Sequence, residues 1–315
     1  YATGTMSRSL APNAHAIGTQ AHATNSNTLA YGTFATARSS NSLALGTKSI
    51  AGTASEAAVA IGEESFAKHN NALAIGTQSI ANGQNSYASG SGSIAKGSNT
   101  IAIGTGAIAA STSESISARK LRTLNNNRPD ESGANRRKRI DANYDNGANL
   151  IAIGADAQAI GSDATSMGSN SLASGQAAIA MGSASQSTST NSIALGTAAE
   201  ALKNDAIAVG TGSAATGQNS TSVGLSATAT ATDAASIGSH AEAQARRSTA
   251  IGTRSSASGK QSFAAGSNTN ASGKRSAAFG SNAKSTNLDS YAFGTRSSAS
   301  GKQSFAAGSN TNASG

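Results

Sequence analysis

Every fourteen residues this sequence repeats a short phrase, apolar, Ala, apolar, Gly, and that period limits the fold more than any other feature in it. The closing glycines stand at 4, 18, 32 and 46, then at 62, 76, 90 and 104, then from 154 to 308 without a missed step, which makes twenty copies. Two irregularities interrupt them: two extra residues before Gly62, and about thirty-six between Gly104 and Gly154. A strict short period over a whole chain predicts a stacked solenoid, one coil per repeat. Without the period, a chain with 35 glycines, no tryptophan and 12% charged residues would read as linker or disorder. The phase-locked apolar positions argue for a folded stack instead.

We number each coil from its closing glycine as zero. Position −2 is Ala in seventeen copies and Ser in three (Ser166, Ser222, Ser236); position +5 is likewise Ala in seventeen and Ser in three (Ser9, Ser187, Ser285). Positions −4 and +3 are almost always Ser, Ala or Thr. Each coil is therefore two seven-residue halves, each with a short strand whose small residues share one face, because strand side chains alternate. Glycine at zero, and often at +7 (Gly83, Gly97, Gly175, Gly217, Gly259), suits tight turns. Asn or Asp at −5, as in Asn41, Asn191 and Asp205, favours the turn into the first strand, and the asparagines can stack as a ladder.

The remaining faces differ. On the first strand, −3 and −1 are large and apolar at thirty of forty positions, as in Leu43 and Leu45, Ile101 and Ile103, Ile151 and Ile153, Ile193 and Leu195. On the second strand, +4 and +6 are mostly polar. If the halves are equivalent, both small faces point into a narrow coil and the large residues point out of it. A continuous apolar wall of that kind needs cover, since burying each large side chain is worth roughly 1.5–3 kcal/mol. The expectation is self-association with those eight residues in the seam, most simply a cyclic homo-oligomer. The alternative puts the large residues inside and the alanines outside. At about 4.8 Å per coil the stack would be roughly 95 Å long.

Asn41-Ser42-Leu43-Ala44-Leu45-Gly46, Asn191-Ser192-Ile193-Ala194-Leu195-Gly196 and the following Ser79-Ile80-Ala81-Asn82-Gly83 pattern resemble the head repeat of YadA-like trimeric autotransporter adhesins. The resemblance spans all of the chain except the long insert. It implies an all-β, left-handed parallel β-roll, a homotrimer, display on the extracellular side of a Gram-negative outer membrane, and binding to host matrix such as collagen or fibronectin. Handedness and the number three come from the resemblance alone. No heptad stalk, neck or anchor barrel is visible, and later coils such as Ala265-Gly266 drift from the motif. The chain opens on a strand-like Tyr1-Ala2-Thr3-Gly4 and stops at Gly315 inside the pattern, so we read it as a segment of something longer. Attachment to the membrane would lie in parts outside this sequence.

The expected organisation is β-roll repeats over 1–110, a basic inserted loop over 111–147, and β-roll repeats again over 148–315. Two features stand out as candidate sites. Position +4 turns apolar in five consecutive coils, Ile50, Phe66, Ile80, Ile94 and Ile108, an expected outer stripe for a ligand unless the insert covers it. The insert has eight basic residues against five acidic ones, and its Arg136, Arg137, Lys138 and Arg139 suit a sulfated glycan or phosphate. The net charge of +8 reads as mildly basic and spread along the chain, favouring acidic partners. Nucleic acid is disfavoured, because no aromatic residues interleave with the basic run.

Thr at +1 in many coils makes an interrupted column, which we read as turn chemistry in preference to an ice-binding face. Catalytic, metal and cofactor sites are not expected. The four histidines are scattered, carboxylates are unpaired, cysteine is absent, and the Asp-containing calcium-roll repeat does not occur. The sequence thus points to a multivalent adhesin head. The competing reading is a structural spacer or self-association module without a host ligand.

Overall fold

A computed structural model describes residues 1–52, 57–110 and 148–314 of the chain. It is an all-β parallel solenoid, with no helix among the described residues. Each coil contributes two short strands. The odd-numbered strands run from β1 (Ala2–Thr3) to β39 (Phe305–Ala307) and hold positions −3 to −1; the even-numbered run from β2 (Arg8–Ser9) to β40 (Asn312–Ala313) and begin at +4. Backbone contacts cluster into two units, 1–174 and 175–315. Each unit stacks its odd strands in one sheet and its even strands in another, every described pair parallel and displaced by one coil.

The interior settles the choice between the two face assignments. Ala44, Ala102, Ala152 and Ala194 at −2 and Ala51, Ala109, Ala159 and Ala201 at +5 are fully buried, while the large residues flanking −2 point outward. A coil closed by two short strands leaves room for little more than a methyl group from each. Most of the buried hydroxyls are satisfied locally; those of Ser39, Ser42, Ser262 and Ser276 make no hydrogen bond among the described residues. Ser49 at +3 donates to the Gly46 carbonyl (2.8 Å), and Ser86 at −4 donates to the Gly83 carbonyl (2.7 Å), the same bond in the two half-coils. Where Ala gives way to Ser, the hydroxyl finds a partner inside: Ser187 donates to the Ser192 carbonyl (2.7 Å) and Ser236 to Ser222 Oγ (3.1 Å). A buried hydroxyl without a partner would cost about 1–3 kcal/mol.

The closing glycine is constrained twice over. At Gly196 φ is +134°, and an added Cβ would stand 2.6 Å from the carbonyl of Gly210 in the next coil. Of the +7 glycines named above, Gly97 keeps a positive φ (+116°), and the others differ from the expectation. Gly83 and Gly175 are not left-handed; an added Cβ would lie 1.8 Å from the Gly97 carbonyl oxygen and 2.0 Å from that of Ser189. Close approach, not turn conformation, selects glycine there. The left-handed turn residues are at −5 and +2, for example Asn191 (φ 54°) and Ala198 (φ 53°). Asn and Asp at −5 tolerate that region and form the expected ladder: Asn13 to Asn27 (3.0 Å), Asn71 to Asn85 (3.0 Å), Asn191 to Asp205 (3.1 Å).

The stack keeps register across both irregularities. Leu43 sits beside Val59 despite the two extra residues. Strand β15 (Ile101–Ile103) pairs directly with β17 (Ile151–Ile153), so the coils on either side of the insert are neighbours. The insert, 111–147, lies outside the described residues, and with it Arg136, Arg137, Lys138 and Arg139.

Candidate functional site

Three exposed surfaces are built by the coil: the outer face of the odd strands, the outer face of the even strands, and the turn edges between them. On the first, the structure aligns the residues expected in the seam. Leu43, Ile101, Ile103, Ile151, Ile153, Ile193 and Leu195 are half-buried within a single chain and Leu45 is exposed. Pairing sets Ile101 beside Ile151 and Ile103 beside Ile153 in unit 1, and Ile193 beside Ile207 in unit 2. Toward the end of unit 2 the columns turn aromatic: Phe263, Phe279, Phe293 and Phe305 follow one another with ring centroids 4.9, 4.9 and 5.7 Å apart. Aromatic pairs at such separations add roughly 0.5–1.5 kcal/mol beyond area burial.

The second face corrects an expectation. The apolar +4 run is not an open stripe. Phe66, Ile80, Ile94 and Ile108 are buried, Ile94 and Ile108 completely, and Ile50 is half-buried. They form one cluster with Ala110, Ile160 and Leu172, so the apolar patch runs further along the stack than the +4 pattern indicated. Alternation along a strand tells which face a residue occupies; it does not tell whether that face meets solvent. Phe66, Ile80, Ile94 and Ile108 thus act as core and are not open as a ligand surface. A shallow hollow of about 270 Å³ lies nearby, lined by His69, Asn82, Gly83, Gln84, Gly97 and Ser98. Burial, with a smaller contribution from Lys68, holds the His69 imidazole below its ordinary value.

The turn edges correct a second expectation. The positive charge is not spread out. Residues 246–315 contain nine Lys and Arg against one acid, Asp289, which equals the net charge of the entire chain, +8. All nine are exposed. Arg275 makes a two-pronged ion pair with Asp289 in the next coil, and Arg247 approaches Asp233 at 3.7 Å. The Asp289 carboxyl is held below its usual range, first by the hydrogen bond from Arg275, with Lys274 and Lys302 adding to the effect. Averaging charge over the chain hid this; counting it coil by coil finds it.

With this geometry in hand, comparison with known proteins is direct. A family model for the YadA head domain repeat matches at 11–35, 27–49, 55–79, 81–107, 147–171, 173–199, 187–213, 215–241, 229–255, 243–269, 257–283 and 285–311. The chain belongs to the YadA head-repeat family. The matches cover both sides of the insert, and from 173 onward their starts step by fourteen or twenty-eight residues, one or two coils. The YadA head is an adhesin module, and the family is not one of enzymes. Among solved structures, the chain is similar to the collagen-binding domain of the Yersinia adhesin YadA, at 28% identity and a TM-score of 0.32, over 37% of this chain and 65% of that one. That superposition adds nothing to the assignment, which rests on the repeats. No curated protein sequence matches the chain.

Proposed function

We propose that this chain is the head of a surface-displayed bacterial adhesin, assembled as a homotrimer through the outer faces of its odd strands. The trimer would hold many weak contacts against host extracellular matrix, of the collagen, fibronectin or sulfated-glycan class. The observation that supports this most is the outward apolar column of −3 and −1 residues. An alanine-lined coil is too narrow to take them in, so they need cover from elsewhere. Side-by-side assembly gives every coil the same cover and multiplies each exposed turn edge. Avidity then grows without any strong single site. Attachment to an outer membrane would be made by other parts of the full-length protein.

The second reading, a spacer or self-association module, draws on the same columns, since they would also support contact between cells. Solid-phase binding of the assembled chain to collagens, fibronectin, laminin and heparin separates the two. Saturable binding to at least one of them is the expected result. Uniform silence, with the assembly intact, would leave the spacer reading standing.

A further inference from the structure

Position −6 is the turn residue that precedes the left-handed −5, and its cations in unit 2 are exposed. In the first five coils of unit 2 it is uncharged: Gln176, Thr190, Asn204, Gln218, Thr232. In the last five it becomes Arg246, Lys260, Lys274, Leu288 and Lys302. The fold converts that change into a column. The carbonyl of each −6 residue accepts from the −5 amide one coil on, as in Gln261 N–H to Arg246 (3.0 Å), Arg275 N–H to Lys260 (2.9 Å) and Asp289 N–H to Lys274 (3.0 Å). One coil step is about 4.8 Å, so the column spans about 19 Å from Arg246 to Lys302.

The columns on either side have their own chemistry. Two residues before each cation stands an exposed polar side chain at +6, Gln244, Ser258, Ser272 and Ser300. The −5 column beyond is also polar, with Gln261 and Gln303 on either side of the paired Arg275 and Asp289. The −6, −5 and +6 columns contain no aromatic residue in these coils.

We propose that this edge binds a linear sulfated polysaccharide of the glycosaminoglycan class, laid along the stack. The cations would meet sulfates through charge-assisted hydrogen bonds, while the flanking hydroxyls and amides would meet ring hydroxyls. A row of single charges at coil spacing, interrupted at Leu288, fits an extended polyanion better than a compact one. The absence of a stacking residue on the edge disfavours single-stranded nucleic acid, where base stacking supplies much of the affinity. General solubility does not account for the pattern, because no other coil carries Lys or Arg at −6 and the chain up to residue 245 is electrically neutral overall. The inference rests on the adhesin reading for its extracellular partner and names a second, separate ligand surface.

The test uses the assembled full chain and a labelled heparin oligosaccharide, with de-sulfated heparin, hyaluronan and double-stranded DNA as competitors. Binding should weaken with salt, since exposed charges are screened beyond about 8 Å at physiological ionic strength. The ladder variant Lys260→Gln/Lys274→Gln/Lys302→Gln should bind at least about tenfold more weakly, since each factor of ten is only 1.4 kcal/mol. A control removes the same charge elsewhere in these coils: Arg254→Gln/Lys284→Gln/Arg296→Gln should stay within about twofold. All six residues are exposed, so neither variant should alter the β circular dichroism or the melting temperature. Equal losses in the two variants would reduce the effect to net charge and overturn the site. So would equal competition by DNA or de-sulfated heparin, or no heparin binding at all. A chain that failed on heparin but still bound a matrix protein would keep the adhesin reading and lose the ladder.

Discussion

At the residue scale, two positions two residues apart show how differently the turn selects its occupants. Gly196 is excluded from bearing a side chain both by its φ and by the Gly210 carbonyl, whereas Ala198 is a left-handed residue with an exposed methyl group. Gly196→Ala should therefore destabilise the stack by more than the roughly 1–3 kcal/mol that backbone strain alone costs. Ala198→Asn should be neutral or stabilising, because Asn visits the left-handed region that costs an ordinary residue about 1–2 kcal/mol. Melting curves of the two variants against wild type check both signs, and a harmless Gly196→Ala would contradict the glycine-on-glycine stacking. His69 supplies a pH test. Its pKa in the fold lies below the ordinary 6.5, so between the two values the unfolded chain holds more protons. Its contribution is thus favourable above 6.5 and is lost as pH falls below it. NMR titration should place the imidazole below 6.5, and Lys68→Gln should raise it only part of the way, since burial is the larger cause. A value at or above 6.5 in wild type would show that the ring is solvated.

At the scale of the strand pair, the same register position is core in some coils and only half-buried in others. Ile94 at +4 is fully buried, while Gln186 at +4 is half-buried and lies outside that apolar cluster. Ile94→Ala should cost about 2–5 kcal/mol, the usual range for emptying a core site, and Gln186→Ala should stay within about 0.5 kcal/mol. Chemical denaturation of both would sink the buried-cluster assignment if the two losses were alike. This contrast also marks what could be read from sequence. The coil, its alanine interior and its Asn ladder were legible because Ala44, Ala51 and Asn41 each recur in phase, and a fourteen-residue period tells which face each residue occupies. Burial of Ile94 was not legible, because cover over a sheet face is not encoded in the period. The left-handed turn at +2 was also hidden: Met6, Phe34, Lys48 and Arg254 share that backbone but no chemistry. The ladder from Arg246 to Lys302 was present in the letters and was lost only by averaging charge over the chain.

At the scale of the whole molecule, the solenoid separates what folds the coil from what it presents. Alanine, serine and glycine close each coil, and the large residues remain on the outside, where they contribute little to the single chain. Replacing Ile101, Ile103, Ile151 and Ile153 with Asp should therefore leave the β circular dichroism in place, since these side chains are already partly exposed in one chain. Assembly should fail. In a trimer about twelve carboxylates would meet along one apolar seam, and burying unpaired charge costs several kcal/mol for each ion. Sedimentation should then report a monomer where the wild type reports a trimer. The melting temperature of the wild type should rise with concentration while that of the variant does not, as mass action requires of a stack stabilised by its partners. A variant that still sedimented as a stable trimer would place the seam on another face. The apolar columns would then be left as ligand-binding surface, and the adhesin reading would have to be rebuilt around them.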